Sequence, residues 1–399
     1  MGLSHPIRAR VHECYGNERS KVAVASMCGF RVSMEDAHTV VLKMPLHPHA
    51  AFIGVYDGHG GQAASKFCAE TLAHKIDLLP DWSDETLRRA IDAFDFEFCS
   101  PDNANREHGT TCVFAIIEFI PNSVAITVCN TGDSRALWGY RSEDHKDTFD
   151  TLTTDHKPGL QQEMARILKA GGFVAGDRVD GDLALSRAIG DWKYKCNPDL
   201  KMDEQKVISV PDITRRAINS HLDNGYLLVA CDGIFERMSD LEVHHTVCDV
   251  LNRTGDPLET VDQLLKAALD SGSKDNMSAA LLVFGDGQEF HREKPTIEFG
   301  PIFPENSTFM SSFYRFCEEA GFAEEAKDHV AKWVDEHGQM SPAPEPVSDE
   351  ARLSQRIIER FIAGANPVLM TDGGQPRLVL HDEFGEETGV IEFDGIEES

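Results

Sequence analysis

Short apolar runs bounded by glycine, proline or charged residues recur between residues 21 and 285, and they predict buried β-strands. The clearest runs cover residues 51–56, 113–117, 124–128, 226–230 and 279–284. Residues 119–123 separate two of these runs, which predicts a β-hairpin with a somewhat long turn. The pattern favours antiparallel strands.

Amphipathic segments with helix start and stop signals lie among these strands. Helices are predicted at 62–76, from Ser83 onward, at 160–170, from Ser239 to about residue 251, and from Asp256 onward. Strands and helices follow one another in groups and do not alternate strictly, as they would in a doubly wound parallel sheet. The chain is therefore predicted to have an α+β fold.

The composition changes after residue 285, so three parts are predicted along the chain. These are an N-terminal arm at 1–20, a main domain at 21–285 and a C-terminal extension at 286–399. The sequence does not indicate what the extension does.

Within the extension, residues 307–337 are predicted to form a helix. Its apolar stripe contains Phe309, Phe313, Phe316 and Trp333. Apolar helix faces are usually buried, so the stripe is expected to pack on the main domain, with a groove for a partner as the alternative. A second helix at 348–363 and a hairpin at 377–393 are also predicted.

Charge restricts the classes of partner. The chain has 67 acidic and 38 basic residues, which gives a formal net charge of −29. This charge repels phosphate backbones and anionic surfaces, so nucleic acid is not an expected partner. No apolar run is long enough to predict a membrane span, and no signal-peptide pattern is present. Pro6 stands where an N-myristoylation motif has Ser or Thr, so acylation is not predicted.

The ten cysteines include no Cys-x-x-Cys pair and occur in apolar contexts, as at Cys112 and Cys231. This pattern is typical of reduced core residues and not of disulfides or zinc ligands. A cytoplasmic or nuclear location is therefore expected. The protein is expected to act as a monomer.

Five carboxylates lie beside glycine or in glycine-rich turns, and a sixth, Asp36, is adjacent to the first of them. The five are Glu35, Asp57, Asp133, Asp232 and Asp275. Three of the five lie at or just beyond apolar segments, where an isolated charge costs several kcal/mol unless it is paired. No matching set of basic residues is adjacent, so a bound cation is the expected neutraliser. Ligands that are all oxygen favour Mg²⁺ or Mn²⁺ over zinc.

Two such ions that share a carboxylate would lower the pKa of a bridging water and deliver hydroxide to a phosphorus or carbonyl centre. Arg31 offers a planar guanidinium that fits a phosphate dianion. His59, in the turn Asp57-Gly-His-Gly-Gly61, is the candidate general acid, because an alkoxide leaving group needs a proton. The alternatives are that His59 only caps the turn and that Arg31 only pairs with Glu35 or Asp36. Valine-rich flanks predict a strand around Arg31.

These residues belong to motifs that occur together and in one order: Arg31 to His38, Asp57 to Gly61, Gly109 to Thr111, Asn130 to Arg135, Asp155 to Pro158, Leu183 to Asp191, Ala230 to Phe235, and Asp275 to Ser278. With this set the chain resembles the metal-dependent serine/threonine protein phosphatases of type 2C over about residues 20–285. Each motif is weak alone, and the set is specific.

The resemblance implies a four-layer α-β-β-α fold, a β-sandwich of two antiparallel sheets flanked by helices, to which the predicted C-terminal helical extension is added. Residues 21–285 would be the phosphatase catalytic domain, with a flap at about 171–191. The resemblance also implies a reaction, the hydrolysis of phosphoserine and phosphothreonine in proteins by direct attack of metal-bound hydroxide.

The resemblance further implies the roles of single residues. The implied metal ligands are Glu35, Asp57, Gly58 through its carbonyl, Asp133, Asp232 and Asp275. Asp57 would bridge two Mg²⁺ or Mn²⁺ ions, and Asp133 would help to hold a weaker third ion. Arg31 would bind phosphate, His59 would be the general acid, and Asp36 would lie behind the metal ligands.

Two other classes of function remain as alternatives. A non-catalytic phosphoprotein-binding pseudophosphatase would be expected to lack a metal ligand, and none of the implied ligands is missing. A calcium-binding regulatory protein is suggested by the acidic segment 177–182, but Ala188 stands where an EF-hand loop needs glutamate. The chain departs from many relatives at Glu236, where they have aspartate, and at Thr110, where they have serine. Glu236 puts the affinity of the weak third site in doubt.

Overall fold

The computed structural model describes residues 2–121, 123–141, 147–219, 225–337, 366–370, 377–381 and 387–392. The chain divides into two compact units, residues 1–333 and 334–399.

The first unit contains strands β1 (Ile7–Gly16), β2 (Ser20–Gly29), β3 (Ala37–Val41), β4 (Ala50–Tyr56), β5 (Gly58–His59), β6 (Gly109–Thr110), β7 (Cys112–Ile120), β8 (Ser123–Thr131), β9 (Arg135–Arg141), β10 (Asp147–Thr151), β11 (Val174–Ala175), β12 (Arg178–Val179), β13 (Ile189–Gly190), β14 (Asp212–Asn219), β15 (Tyr226–Ala230), β16 (Met277–Phe284) and β17 (Thr296–Glu298). The α-helices are α1 (Ala63–Asp77), α2 (Asp84–Phe98), α3 (Gln161–Lys169), α4 (Asp232–Phe235), α5 (Asp240–Thr254), α6 (Pro257–Asp270), α7 (Ser307–Glu319) and α8 (Ala323–His337).

Two antiparallel sheets pack face to face. One has seven strands in the order β10-β9-β15-β16-β2-β1-β17, and the other has five in the order β14-β8-β7-β4-β3. Along β2, Val22 and Val24 face the cluster between the sheets, whereas Ala23 and Ala25 face a cluster on the other side. This alternation is the period of two that a strand imposes on its side chains.

Helices cover the outer face of each sheet. On the seven-stranded sheet, Val243 of α5 and Leu264 of α6 share a buried cluster with Leu228 of β15. On the five-stranded sheet, Leu72 of α1 and Ile91 of α2 share another cluster with strand residues. The four-layer α-β-β-α prediction is confirmed.

The predicted helix signals act as expected. Ser239 accepts a hydrogen bond from the backbone N–H of Glu242, whose side chain accepts one from the backbone of Ser239, so the start of α5 is capped on both sides. The predicted hairpin is also present, but its strands extend to Ile120 and Ser123, so the turn is shorter than predicted.

A small third sheet lies at one end of the sandwich, in the order β13-β6-β5. Its strands are only two residues long, and they pair Gly58 with Thr110 and Gly109 with Gly190. This sheet joins the exit of β4 to the last residues of the flap region.

The segment assigned to an N-terminal arm contains β1, which pairs with β2 and β17 in the seven-stranded sheet. The sequence does not predict this strand, because Arg10 and His12 interrupt its apolar pattern. Both side chains are nevertheless buried, and both contact Asp262, at 2.5 and 2.9 Å. Residues 7–16 are thus part of the sandwich, whereas the boundary at 285 stays a prediction.

The predicted helix at 307–337 is wrong in one respect, because it is two helices. Gly321 has φ +85°, a left-handed conformation in which a right-handed helix cannot continue, so α7 ends before it and α8 begins after it. Phe309, Phe313 and Phe316 are buried together with Leu3, Ile7 and Cys28, and Trp333 packs against this cluster at its edge. The expected packing of the stripe is confirmed.

Phe313→Ala is expected to lower the free energy of unfolding by about 3–5 kcal/mol, because the buried ring is replaced by a cavity. Urea denaturation measures the change. Phe96, which is 61% exposed, provides the matched control, and Phe96→Ala should change stability by no more than about 0.5 kcal/mol. Equal effects of the two substitutions would contradict burial of the α7 stripe.

In the second unit, β18 (Asn366–Met370), β19 (Arg377–His381) and β20 (Glu387–Glu392) form an antiparallel sheet in that order. The hairpin predicted at 377–393 is therefore present, and a further strand pairs with it. The helix predicted at 348–363 falls outside the described residues. Among the described residues no helix is long and apolar enough to span a membrane.

Candidate functional site

The predicted acidic residues come together at one end of the sandwich because each lies at the end of a strand. Asp57 follows β4, Asp133 follows β8, Asp232 follows β15 by two residues, and Asp275 precedes β16. Both sheets contribute strands, so residues far apart in sequence meet where the ends of these four strands converge.

A cleft of about 940 Å³ opens at this end. The predicted site residues that line it are Arg31, Glu35, Asp57, Gly58, His59, Asp133, Asp232 and Asp275. The structure brings all of the predicted site residues to the cleft wall except Asp36, which lies behind it. The roles assigned to them stay predictions.

The strand predicted around Arg31 is wrong, because residues 31–36 form a loop between β2 and β3. The side chain of Asn276 makes backbone hydrogen bonds to this loop of the kind that a neighbouring strand would make. Its Oδ1 accepts a hydrogen bond from the backbone N–H of Glu35 at 2.9 Å, and its Nδ2 donates to the carbonyl oxygen of Ser33 at 3.0 Å. One asparagine therefore fixes the loop that carries Arg31 and Glu35 to the strand that follows Asp275.

Arg31 pairs with neither Glu35 nor Asp36, the partners considered from the sequence. Its Nη2 lies 2.5 Å from Oδ2 of Asp275, while its side chain remains 56% exposed at the mouth of the cleft. Arg31 is thus placed between a carboxylate of the site and incoming solute.

Burial and mutual repulsion disfavour the charged forms of the central carboxylates. Burial raises the pKa of Asp57 well above its usual value, and the charges of Asp36, Asp232 and Asp275 raise it further. Burial likewise raises the pKa of Asp232, and Asp133 and Asp275 add to the effect. In the described part of the chain neither Asp57 nor Asp232 forms an ion pair with a basic side chain. A divalent cation would remove this repulsion, so the residues present fit a metal centre.

Asp36 is another buried carboxylate that a nearby cation would stabilise in its charged form. Both of its carboxylate oxygens are buried, and they make no hydrogen bond of normal geometry with any described residue. Burial raises its pKa to about 7, although Ser278 and Cys231 are close enough to oppose the shift. One ligand atom each from Asp36, Asp57 and Cys231 lie within 4.8 Å of one another.

The metal-free protein is expected to be more stable at pH 6 than at pH 8. A carboxyl whose pKa is raised in the folded state binds a proton that the unfolded chain has lost, so its contribution disappears as the pH rises through the folded-state pKa. For Asp36, with a pKa raised to about 7, the change is about 1 kcal/mol over this interval. Thermal unfolding in a chelator at the two pH values measures it.

Asp36→Asn should reduce this pH dependence, because the amide does not titrate. Added Mn²⁺ should reverse it, since metal binding requires deprotonated carboxylates. A metal-free protein with equal or higher stability at pH 8 would contradict the assignment.

A further acidic group forms at the side of the cleft. Asp232, Glu236 and Asp275 each place an oxygen within 4.8 Å of the other two. Asp133 is hydrogen-bonded by Nζ of Lys157, and burial raises the pKa of Asp133 while Lys157 opposes the shift. Glu236, which sequence reasoning connected with the weak third site, thus lies in this acidic group.

The imidazole of His59 is held by a carboxylate. Its Nε2 lies 2.7 Å from Oδ2 of Asp191, which is buried. Burial by itself lowers the pKa of His59, but the charge of Asp191 and this hydrogen bond outweigh burial and raise it. The pair lies against Gly109, where a Cβ would come within 2.1 Å of Nε2, so only glycine fits there. The imidazole of His59 is thus held in one orientation, and its protonated form is favoured.

Sequence reasoning assigned no role to Asp191, Asn276, Lys157 or Thr111, although all four occur in the quoted motifs. Thr111 donates its backbone N–H to the carbonyl of Asp57 at 2.9 Å, and its hydroxyl accepts from the N–H of Asp57 at 3.0 Å. The motif positions were visible in the sequence, but their partners are distant in the chain.

Comparisons with known proteins agree with this geometry. The model of the family Protein phosphatase 2C matches residues 20–277. A probable protein phosphatase 2C of Caenorhabditis elegans is 34% identical over 298 residues, which cover 72% of this chain and 80% of that protein. Protein phosphatase 2C homolog 2 of Schizosaccharomyces pombe is 34% identical over 302 residues, which cover 72% and 79%. A crystal structure of a phosphatase from Toxoplasma gondii has a TM-score of 0.61 and 29% identity, and the match covers 74% of this chain and 99% of that one.

The acidic cleft and these similarities define a metal-binding hydrolase of the protein phosphatase class. The chain belongs to the protein phosphatase 2C family, as the resemblance found in its motifs implied.

Proposed function

We propose that the protein removes phosphate from phosphoserine and phosphothreonine in other proteins, with two Mg²⁺ or Mn²⁺ ions at the cleft and a weaker third one. The observation that supports this most is the crowding of Asp57 and Asp232, which have no basic partner among the described residues, beside an exposed Arg31 at the mouth of the same cleft. A site that is strongly acidic inside and cationic at its entrance suits metal ions and a phosphate that binds over them.

In this proposal Asp57 would be the shared ligand, as the family resemblance implies, and a shared cation would offset the repulsion by Asp36, Asp232 and Asp275 that raises its pKa. Glu35 and the carbonyl of Gly58 would help to hold one ion, and Asp232 and Asp275 would help to hold the other. Asp133 holds the third ion, with Glu236 beside it. Bound there, the ions lower the pKa of water and polarise the phosphate.

The protein side chains position the substrate and transfer the proton. Arg31 binds the phosphate oxygens through its planar fork. His59 protonates the serine or threonine oxygen as the bond to phosphorus breaks. Because Nε2 of His59 is hydrogen-bonded to Asp191, Nδ1 is the ring nitrogen that carries the transferred proton.

Phosphate release from a phosphothreonine peptide tests the proposal. Release should require added Mn²⁺ or Mg²⁺ and should stop in excess chelator. A phosphotyrosine peptide of the same sequence is the control for side-chain specificity, and it should react more slowly. A metal-loaded protein that binds the phosphothreonine peptide and releases no phosphate would instead support the non-catalytic alternative.

A further inference from the structure

A fully buried ion pair lies outside the cleft, between α2 and the segment after β13. Nζ of Lys195 is 2.7 Å from Oδ2 of Asp95, and both side chains are 0% exposed. In the described part of the chain no other ion pair has both side chains at 0% exposure. Burying two charges costs free energy that their attraction rarely exceeds by much, so such a pair is weak evidence of a stabilising role.

The pair holds the backbone on both sides of β13. Lys195 also donates to the carbonyl of Ala188 at 2.7 Å, and Oδ1 of Asp95 accepts the backbone N–H of Gly190 at 2.7 Å. Both ends of the short segment 188–195 are thereby fixed to α2.

The residue after Gly190 is Asp191, which contacts His59. Asp191 has φ +56°, a left-handed conformation that is uncommon for a residue with a side chain and needs support from its surroundings. Its backbone N–H donates to the carbonyl of His108 at 3.1 Å. β13 itself is only two residues long, so its ladder gives little support of its own.

We infer that Asp95 is a positioning residue for the proton-transfer step and that Lys195 neutralises its buried charge. Through the hydrogen bond to Gly190, Asp95 sets the place of Asp191, and through Asp191 it sets the orientation of His59. This inference rests on the proposed role of His59 as general acid. The buried ion pair between α2 and the segment after β13 would then affect the reaction of substrates whose leaving group needs a proton.

Two double variants separate positioning from simple stability. Asp95→Leu with Lys195→Met removes both charges and the acceptor for Gly190. Asp95→Asn with Lys195→Met also removes both charges but keeps an oxygen that can accept the Gly190 N–H. Neither variant leaves a buried charge without its partner, which is the costly change.

The measured quantity is the ratio of kcat on a phosphothreonine peptide to kcat on p-nitrophenyl phosphate. The aryl oxide leaves without a proton, so this ratio reports the general acid, whereas a general loss of structure lowers both rates. The Leu/Met variant should lower the ratio about 10- to 100-fold, as small misplacements of catalytic groups do. The Asn/Met variant should keep the ratio within about threefold of the wild type, since the hydrogen bond is retained.

His59→Ala provides the reference and separates the two hypotheses. If His59→Ala lowers the ratio and the Leu/Met variant does not, the general acid stands and the positioning role is overturned. If His59→Ala leaves the ratio unchanged, the acid role fails and the inference fails with it. In the His59→Ala background the Leu/Met change should lower the ratio no further, and an additional loss there would also overturn the inference.

Asp95→Glu is the second test should the Leu/Met variant not fold. It keeps the charge for Lys195 but moves the acceptor by one methylene, so the ratio should again fall. A folded Asp95→Glu protein with the wild-type ratio would overturn the inference.

Discussion

Asp57→Ala is expected to lower phosphatase activity by more than about 100-fold while the fold remains intact. Loss of a residue that merely supports a metal ligand typically costs about 10- to 100-fold, and a ligand shared by two ions should cost more. Initial rates on a phosphothreonine peptide at saturating Mn²⁺ measure the effect. Asp102, an exposed aspartate, is the matched control, and Asp102→Ala should leave the rate unchanged.

Stability should respond differently from activity. In a chelator, Asp57→Ala should unfold at the same or a higher temperature than the wild type, because the substitution removes a buried carboxyl whose charge its neighbours repel. Mn²⁺ at 100 times its Kd should stabilise the wild type by about 2.7 kcal/mol, and the variant by much less. Calorimetric titration of the variant should not show two sites of wild-type affinity, and finding them would contradict the bridging role of Asp57.

His59→Ala is expected to slow hydrolysis of a phosphothreonine peptide by about 10²- to 10⁴-fold, the usual contribution of a general acid. The loss on p-nitrophenyl phosphate should be much smaller, since that leaving group needs no proton. Steady-state kcat values for the two substrates give the comparison. Equal losses would mean that His59 only supports the structure of the site.

Asp191→Asn is the control for the orientation of His59. The amide keeps the size of the side chain and can still accept a hydrogen bond through its oxygen, but it lacks the charge that raises the pKa of His59. The variant should therefore show the same preference for the aryl substrate as His59→Ala, to a smaller degree. A full loss on both substrates would indicate that Asp191 acts on the metal centre instead.

The parts of the site that sequence reasoning found are those whose signals are local. Asp57 lies where an apolar strand meets a glycine-rich turn, and α5 begins at a capping serine followed by glutamate, so neighbouring residues suffice to predict both. The four-layer arrangement came from the family resemblance, whereas the hydrophobic pattern by itself favoured only antiparallel strands in an α+β fold.

The parts that it missed depend on partners far away in the chain. His59 and Asp191 are 132 positions apart, and the loop of Glu35 is shaped by an asparagine 241 positions away. Strand β1 was hidden for the same reason, since Arg10 is buried against Asp262, which is 252 positions away. No local pattern reports such pairings.

The contact between Arg31 and Asp275 implies a coupling between metal and phosphate in the proposed reaction. The guanidinium lies 2.5 Å from a carboxylate oxygen of Asp275, so a phosphate must compete with that carboxylate for it. A metal ion bound by Asp275 would weaken the attraction between this carboxylate and Arg31. Metal loading and phosphate affinity are therefore thermodynamically linked, and by reciprocity phosphate must tighten metal binding by the same factor. Metal loading should therefore favour substrate binding, and inorganic phosphate should slow the loss of metal between turnovers.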